Sequence, residues 1–217
     1  KADLKKQDQD GENQIIIASQ HAITTSVAPS LIKNISAKNN LSTLLKSANR
    51  DECYALLMTK QVDLILIHHS NADESLDHQG FFQEYELSKE RLIPVCLGSE
   101  HNAIKSHIIE GRLPVIAYPS DSYLGQVIER EVFFQLRAQL TIDRVAETSL
   151  TLAILPMTLA GVGVGWLPDS LVAADLASGL LTDLRDALPD CELSVMAIQL
   201  RDSESIFKSE VWETVAA

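Results

Sequence analysis

The sequence is short of positive charge. Eighteen Lys and Arg face 30 Asp and Glu, a formal net charge of −12. A surface that acidic repels phosphate, and nucleic-acid affinity rests largely on Lys and Arg neutralising phosphates. This chain by itself is therefore not expected to grip DNA. It lacks the roughly 18 consecutive apolar residues that mark a membrane-spanning helix. Its first residues, Lys1 to Glu12, are polar and lack the apolar core of a secretion signal. A cytoplasmic protein, off the membrane, is expected. Cysteine is scarce too. Cys53, Cys96 and Cys191 are an odd number, far apart, with no C-x-x-C, which suits reduced thiols better than a disulfide framework. No P-loop, no nucleophilic serine elbow and no paired-carboxylate site is evident. Gly161, Gly163 and Gly165 spell G-x-G-x-G, but they run through a strand and not from a strand into a helix, so they form no nicotinamide fingerprint. Neither an enzyme nor a cofactor is expected.

What is present is an alternation of apolar runs and helical patterns. The 217 residues are 46% hydrophobic and 22% charged, an ordinary globular balance with room for one large domain or two lobes. Residues 1–12 read as a linker. Gln14–Ala18 (QIIIA) is a short buried strand, followed by a polar turn at Ser19, Gln20 and His21. Val27, Leu31 and Ile35 then recur at four-residue spacing, the mark of a helix. Leu41–Lys46 suits a strand, Ala48–Thr59 a helix and Val62–Ile67 (VDLILI) another buried strand. That β-α-β-α-β order predicts a parallel sheet. A polar loop, His68 to Gly80, follows, and then extended segments at Phe82–Leu87 and Leu92–Leu97. The second half repeats the scheme: strand Leu113–Tyr118, helix Ser122–Phe134, strand Leu140–Val145, helix Ser149–Leu159, strand Val162–Trp166. Ser194–Leu200 is a late strand and Ser203–Val215 a last helix, capped by Asp202 or Ser203. Two such runs predict an α/β protein of two Rossmann-like lobes with a ligand cleft at the carboxyl ends of the strands.

Several segments, taken in order, resemble the effector-binding domain of LysR-type transcription regulators. They are Gln14–Leu31 (QIIIASQHAITTSVAPSL), Val62–Ile67, Leu92–His101 (LIPVCLGSEH), Pro114–Gln126 (PVIAYPSDSYLGQ), and Thr148–Leu150 followed by Ala160–Pro168 (AGVGVGWLP). The resemblance implies a periplasmic-binding-protein-like fold of type 2, with residues 13–95 and 196–217 in lobe I and 96–195 in lobe II. It implies a small-molecule effector held between the lobes, a homodimer or homotetramer, and operator DNA bound only through a winged helix-turn-helix that would lie upstream. The alternative is a free-standing solute-binding protein of a transporter with the same fold. The second-lobe segments resemble the hypochlorite-responsive branch, which senses through methionine oxidation. The matching position here is Leu150, with Met157 the nearest methionine, so that mechanism does not carry over.

The candidate ligand contacts sit where strands give way to helices. Ser19, Gln20, His21, Thr24 and Thr25 follow the first strand. There, the N–H groups of a helix start and polar side chains suit an anion, although Ser and Thr also favour such places as simple caps. Tyr118, Ser120, Ser122 and Tyr123 follow the second-lobe strand, and Thr148 and Ser149 precede another helix. A ligand role predicts that Gln20 and Tyr123 serve binding and leave the stability of the ligand-free protein nearly unchanged. His68, His69 and His78, with Asp73 and Asp77, match no standard metal spacing, and neighbouring His residues on a strand point apart. No metal is expected, while His68 is a candidate to face the ligand. Cys53 and Cys96 fall on predicted buried faces, where a thiol is inert. Apolar residues on the helices Thr24–Lys38 and Ser122–Phe134, such as Ile32, Leu124 and Val127, suggest an oligomer that covers them.

Overall fold

The computed structural model describes residues 14–39, 41–73, 80–201 and 206–215. In chain order the elements are β1 (Gln14–Gln20), α1 (His21–Ser26), α2 (Ala28–Asn39), β2 (Ser42–Ala48), α3 (Arg50–Met58), β3 (Leu64–Ser70) and β4 (Phe82–Leu97). A 3-10 turn at Gly98–Glu100 leads into α4 (His101–Ile109), β5 (Arg112–Ala117), α5 (Tyr123–Ile128), a π turn at Glu129–Phe133 and the short α6 (Phe134–Leu136). Then come β6 (Thr141–Glu147), α7 (Thr151–Leu159), β7 (Val164–Pro168), α8 (Asp169–Ser178), β8 (Leu181–Asp183), β9 (Cys191–Leu200) and α9 (Ile206–Val215).

The chain divides into two compact units. The first holds the chain up to Lys89 and again from Ser194; the second is Glu90–Leu193. The crossings therefore fall within β4 and β9, earlier than the expected 95/96 and 195/196. Expected as two extended segments, Phe82–Leu87 and Leu92–Leu97 belong to one strand of 16 residues. The polar stretch Ser88–Arg91 between them remains extended because its side chains find partners: Lys89 Nζ lies 3.0 Å from Glu86 Oε2, and Arg91 Nε 2.6 Å from Asp190 Oδ2.

In the first unit the strand order is β2-β1-β3-β9-β4. β1 pairs in parallel with β2, Gln14 opposite Ser42 through Gln20 opposite Ala48, and with β3, Ile17 opposite Leu64. That is the parallel β-α-β-α-β run expected from the sequence. The strands are apolar because both faces are covered. Ile17, Ile23, Ile35 and Leu66 are sealed in one cluster with Trp212 of α9, and Cys53, Leu57, Ile65 and Ile67 in another.

In the second unit the order is β4-β7-β5-β6, with β8 against β4. β5 runs parallel to β6 and β7, while β4 is antiparallel to β7 and β8. Its core centres on Trp166, whose ring meets Phe133 edge-on at 5.6 Å and whose Nε1 donates to the Pro189 carbonyl at 2.9 Å. Gly165 of β7 is required by packing: a Cβ there would stand 2.7 Å from Ile154 Cγ2 and Thr158 Oγ1 of α7. The glycine run thus lets α7 lie close on β7.

Several elements differ from expectation. α4, α8 and β8 are not expected from the sequence; α8 is rich in apolar residues, but they show almost no one-sided periodicity. The helix expected over Ser122–Phe134 is interrupted by the π turn. Leu124 and Val127 are buried in the second core, and Ile32 packs against the first, so none supplies the exposed apolar surface that was to motivate an oligomer. The large apolar side chains that do stand exposed include Ile109 and Phe134. The cap expected at Asp202 or Ser203 lies outside the described residues.

Candidate functional site

In the first unit, β1 runs two residues further than its apolar core suggests. Ser19 and Gln20 are its last residues and not a turn, and both are buried. Their burial follows from the parallel register, which sets Ser19 between Ser47 of β2 and Leu66 of β3. Buried polar groups need partners. Gln20 Oε1 accepts the backbone N–H of His68 at 2.5 Å, stitching the end of β1 to β3. Gln20 therefore does structural duty, so its loss is expected to lower the stability of the ligand-free protein and not to leave it nearly unchanged. β3 likewise extends to Ser70, so His68 and His69 stand on a strand and not in a polar loop, His68 sealed and His69 half-buried.

Beyond Gln20 the chain turns into α1. Gln20 occupies the N-cap position and makes no side-chain cap bond. The six residues of α1 are too few for a strong dipole, so the side chains matter more than the helix end. His21 Nδ1 lies 2.7 Å from Ser47 Oγ. Thr24 Oγ1 donates to the Gln20 carbonyl at 3.1 Å and lies 3.3 Å from the same Ser47 Oγ. His21, Thr24 and Ser47 thus converge at the carboxyl ends of β1 and β2, and all three are at least partly exposed. Thr25 Oγ1 instead donates to the Ala22 carbonyl at 3.0 Å. Ser47 falls outside the strand expected at Leu41–Lys46, because β2 runs two residues further, to Ala48.

In the second unit, the turn after β5 is built by local bonds. Ser122 is the N-cap of α5: its Oγ donates to the Pro119 carbonyl at 2.7 Å and accepts the Gly125 N–H at 3.2 Å. Gly125 is obligatory, since a Cβ there would stand 1.9 Å from the Pro119 carbonyl oxygen. Tyr118 is buried, and its hydroxyl donates to the Trp166 carbonyl at 3.1 Å; burial pushes its pKa up. Thr148 Oγ1 accepts the Leu150 N–H at 3.2 Å, but Leu150 and neither Thr148 nor Ser149 is the N-cap of α7. Ser120 and Ser149 are exposed and Tyr123 is half-buried, packed on the core.

His69 Nδ1 lies 3.8 Å from Asp73 Oδ2, and burial lowers the His69 pKa despite that carboxylate. Among the described residues no three His, Cys, Asp or Glu side chains converge as a metal set; Asp77 and His78 lie outside them. Cys53, Cys96 and Cys191 are buried free thiols, with pKa values pushed up by burial to about 12, 11 and 12. A thiol held neutral in this way is a poor nucleophile.

The polar turns at the carboxyl ends of parallel strands match a known architecture. The family model of the LysR substrate binding domain fits residues 8–207. The chain belongs to this family. It is the substrate-binding domain of a LysR-type transcription regulator, and the comparisons do not favour a transporter's solute-binding protein. Two Escherichia coli relatives agree. The HTH domain-truncated transcriptional regulator QseD of strain O157:H7 is 26% identical over 86% of this chain and 74% of its own length. The HTH-type transcriptional regulator YjiE of strain K12 is 26% identical over 86% of this chain, which spans 59% of that relative. The bromide-bound regulatory domain of HypT from Salmonella typhimurium shares the fold, with a TM-score of 0.79, 22% identity and coverage of 94% of this chain and 93% of its own. The fold is thus the periplasmic-binding-protein-like type 2 of LysR regulatory domains. No helix among the described residues is long and apolar enough to cross a membrane.

Proposed function

We propose that this LysR domain controls transcription by binding a small polar or anionic effector, and that His21, Thr24 and Ser47 of the first unit are contacts for it. The carrying observation is their convergence: three side chains able to donate or accept, from two elements, meet within 3.3 Å of one serine hydroxyl and remain accessible. A protonated His21 would add affinity for an anion. In the second unit, considered by itself, the turn after β5 carries Ser120 and Tyr123, polar side chains of the same kind. Ser19, Gln20, His68, Tyr118, Ser122 and Thr148 serve the effector indirectly, by holding these turns in shape. Titration calorimetry with small acids and halides tests the reading. Bromide is a sensible first probe because the HypT regulatory domain carries it. His21→Ala and Ser47→Ala should each weaken binding about 5- to 100-fold, the loss of one polar partner of roughly 1–3 kcal/mol. Unchanged affinity in both variants sinks the assignment.

The domain acts as a cytoplasmic regulator and not as an enzyme. It works as a homodimer or a larger homo-oligomer, and reaches operator DNA through a winged helix-turn-helix upstream in the full regulator. The net charge of −12 supports that division of labour, since it opposes phosphate contacts by this domain. Light scattering at high micromolar concentration and a gel shift at physiological salt test the two points. A monomer overturns the first, and sub-micromolar DNA binding by this chain alone the second.

A further inference from the structure

Where β1 gives way to α1 in the first unit, the hydroxyl protons can be assigned one by one. Ser19 Oγ and Thr24 Oγ1 donate to the Gln20 carbonyl, at 3.2 and 3.1 Å. Thr25 and Ser26 donate to the Ala22 carbonyl, at 3.0 and 3.1 Å. Each of these hydroxyls has one proton, and the backbone takes it. Ser47 differs. Its Oγ is exposed and lies 2.7 Å from His21 Nδ1 and 3.3 Å from Thr24 Oγ1. Thr24 has spent its proton, so the shorter contact decides the bond. With the ring neutral, Ser47 donates to a bare Nδ1 and the ring proton sits on Nε2. A protonated ring carries a hydrogen on both nitrogens. Nδ1 must then donate to Ser47, and the Ser47 proton is released toward the rim.

We propose that this site takes a small anion that only accepts hydrogen bonds, and takes it together with one proton from solvent, the Ser47 hydroxyl turning from the His21 ring to the anion. The inference rests on the reading of His21, Thr24 and Ser47 as effector contacts, and adds the class of the ligand and its proton. With the ring neutral, Ser47 and Thr24 meet an anion with oxygen lone pairs, which repel it. With the ring protonated, the Ser47 hydroxyl faces the anion and a positive charge stands 2.7 Å behind it. A hydrogen bond to an ion is about twice as strong as a neutral one, so an anion outcompetes the Thr24 oxygen at 3.3 Å for the Ser47 proton. A ligand that must itself donate, such as an ammonium ion, gains nothing from this arrangement and meets a like charge.

The charged groups on the surrounding elements leave the proton to an imidazole. α1 holds no titratable side chain besides His21, and β1 holds none. On β2 there is Lys46, whose Nζ donates to the Gln61 carbonyl at 3.4 Å. α2 adds Lys33 and Lys38, both exposed cations. α3, which follows β2, opens with Arg50, Asp51 and Glu52; Arg50 lies over the Tyr54 ring at 5.6 Å, and the two acids are exposed. β3, beside β1, adds His68, sealed from solvent, and His69. Only imidazoles among these ordinarily change charge between about pH 5 and 8. An anion that prefers the protonated ring draws a proton in as it binds. Its affinity is therefore highest at low pH and falls as pH rises, by up to about tenfold per pH unit for one coupled proton.

Two measurements on the full chain test this. Nitrogen-15 NMR of the histidine rings, without ligand, reads which ring nitrogen holds the proton. At about pH 8.5 the His21 Nδ1 should be bare in the parent, and in Ser47→Ala the ring should shift toward a mixture of its two neutral forms. Bromide titration calorimetry in two buffers of different ionisation enthalpy reads proton uptake, since bromide has no titratable proton of its own. Between about pH 6 and about pH 8 the affinity should fall about tenfold or more, with net uptake of protons, and His21→Gln should bind bromide weakly, without uptake and without pH dependence. Bromide affinity unchanged in His21→Gln sinks the site itself. Affinity lost in His21→Gln with no proton uptake by the parent leaves the site standing and overturns the coupling. A chain that binds bromide at neither pH overturns the ligand class. A His21 proton found on Nδ1 at alkaline pH overturns the proposal whatever bromide does.

Discussion

The two strand-to-helix turns, β1 into α1 in the first unit and β5 into α5 in the second, look alike in sequence. Each joins Ser to aromatic or imidazole rings: Ser19 and His21 in the first, Ser120 and Ser122 with Tyr118 and Tyr123 in the second. Their bonds differ in reach. In the first unit Gln20 ties β1 to the backbone of β3, 48 residues away, and His21 reaches Ser47 of β2, 26 residues away. In the second, Ser122 bonds only Pro119 and Gly125, each three residues off. The first turn is thus assembled by the tertiary fold and leaves polar side chains gathered at its rim. The second is capped locally by Ser122, and its long-range tie is made by Tyr118, just before the turn, to the Trp166 carbonyl. A run of polar residues at a strand end can be either, and the partner's distance along the chain decides which.

The contrast can be broken by substitution. The largest effect is expected at the locally capped turn. Gly125→Ala places a Cβ 1.9 Å from a backbone oxygen that cannot move without undoing the cap. It should cost about 3 kcal/mol, the upper end for overpacking, as read by urea unfolding. Next comes Gln20→Ala, which strips the buried His68 N–H of its acceptor and should cost about 1–3 kcal/mol. A melting temperature equal to the parent's would show that the tie between β1 and β3 is dispensable. Ser122→Ala removes a cap and should cost about 1 kcal/mol, with no selective effect on effector affinity.

Smaller still is the effect of Ser47→Ala or Thr24→Ala on the ligand-free protein. Both residues lie at the accessible rim, so stability should stay within about 0.5 kcal/mol of the parent while binding weakens. A loss of stability as large as that of Gln20→Ala would make the rim structural and erase the contrast. At neutral pH the thiols should show least of all, in both units alike. Their raised pKa values leave them protonated, so a thiol reagent at pH 8 should react at the unfolding rate and not at once. The stability they contribute is complete below the unfolded thiol value near 9 and is lost only as pH climbs through 11 to 12.

Much of the fold is legible in the sequence where one residue type repeats. The runs QIIIA and VDLILI name buried parallel strands because only a strand covered on both faces tolerates uninterrupted apolar side chains. The helix of Ala28–Asn39 shows in its four-residue spacing. β4 reads as two segments because Ser88 to Arg91 are polar; within the strand Lys89 pairs with nearby Glu86 and Arg91 with Asp190 and Glu192, distant in sequence. α8 stayed hidden because its apolar residues are spread around the helix. The site was half legible. Polar residues at strand ends point to these turns, but Ser47 and the structural bonds of Gln20, Tyr118 and Ser122 are not visible in the local sequence.

The sequence by itself therefore determined the alternation of strands and helices, the LysR family and the acidic surface, since each rests on composition or on residues near one another in the chain. Tertiary structure alone decided which polar side chains are spent on the backbone and which remain accessible at the ends of the strands. Those outcomes depend on register: Ser19 opposite Ser47 and Leu66, Gln20 within reach of the His68 N–H, Glu90 within reach of the Ser170 N–H. Register is settled by packing whole elements together, and no local pattern of residues encodes it.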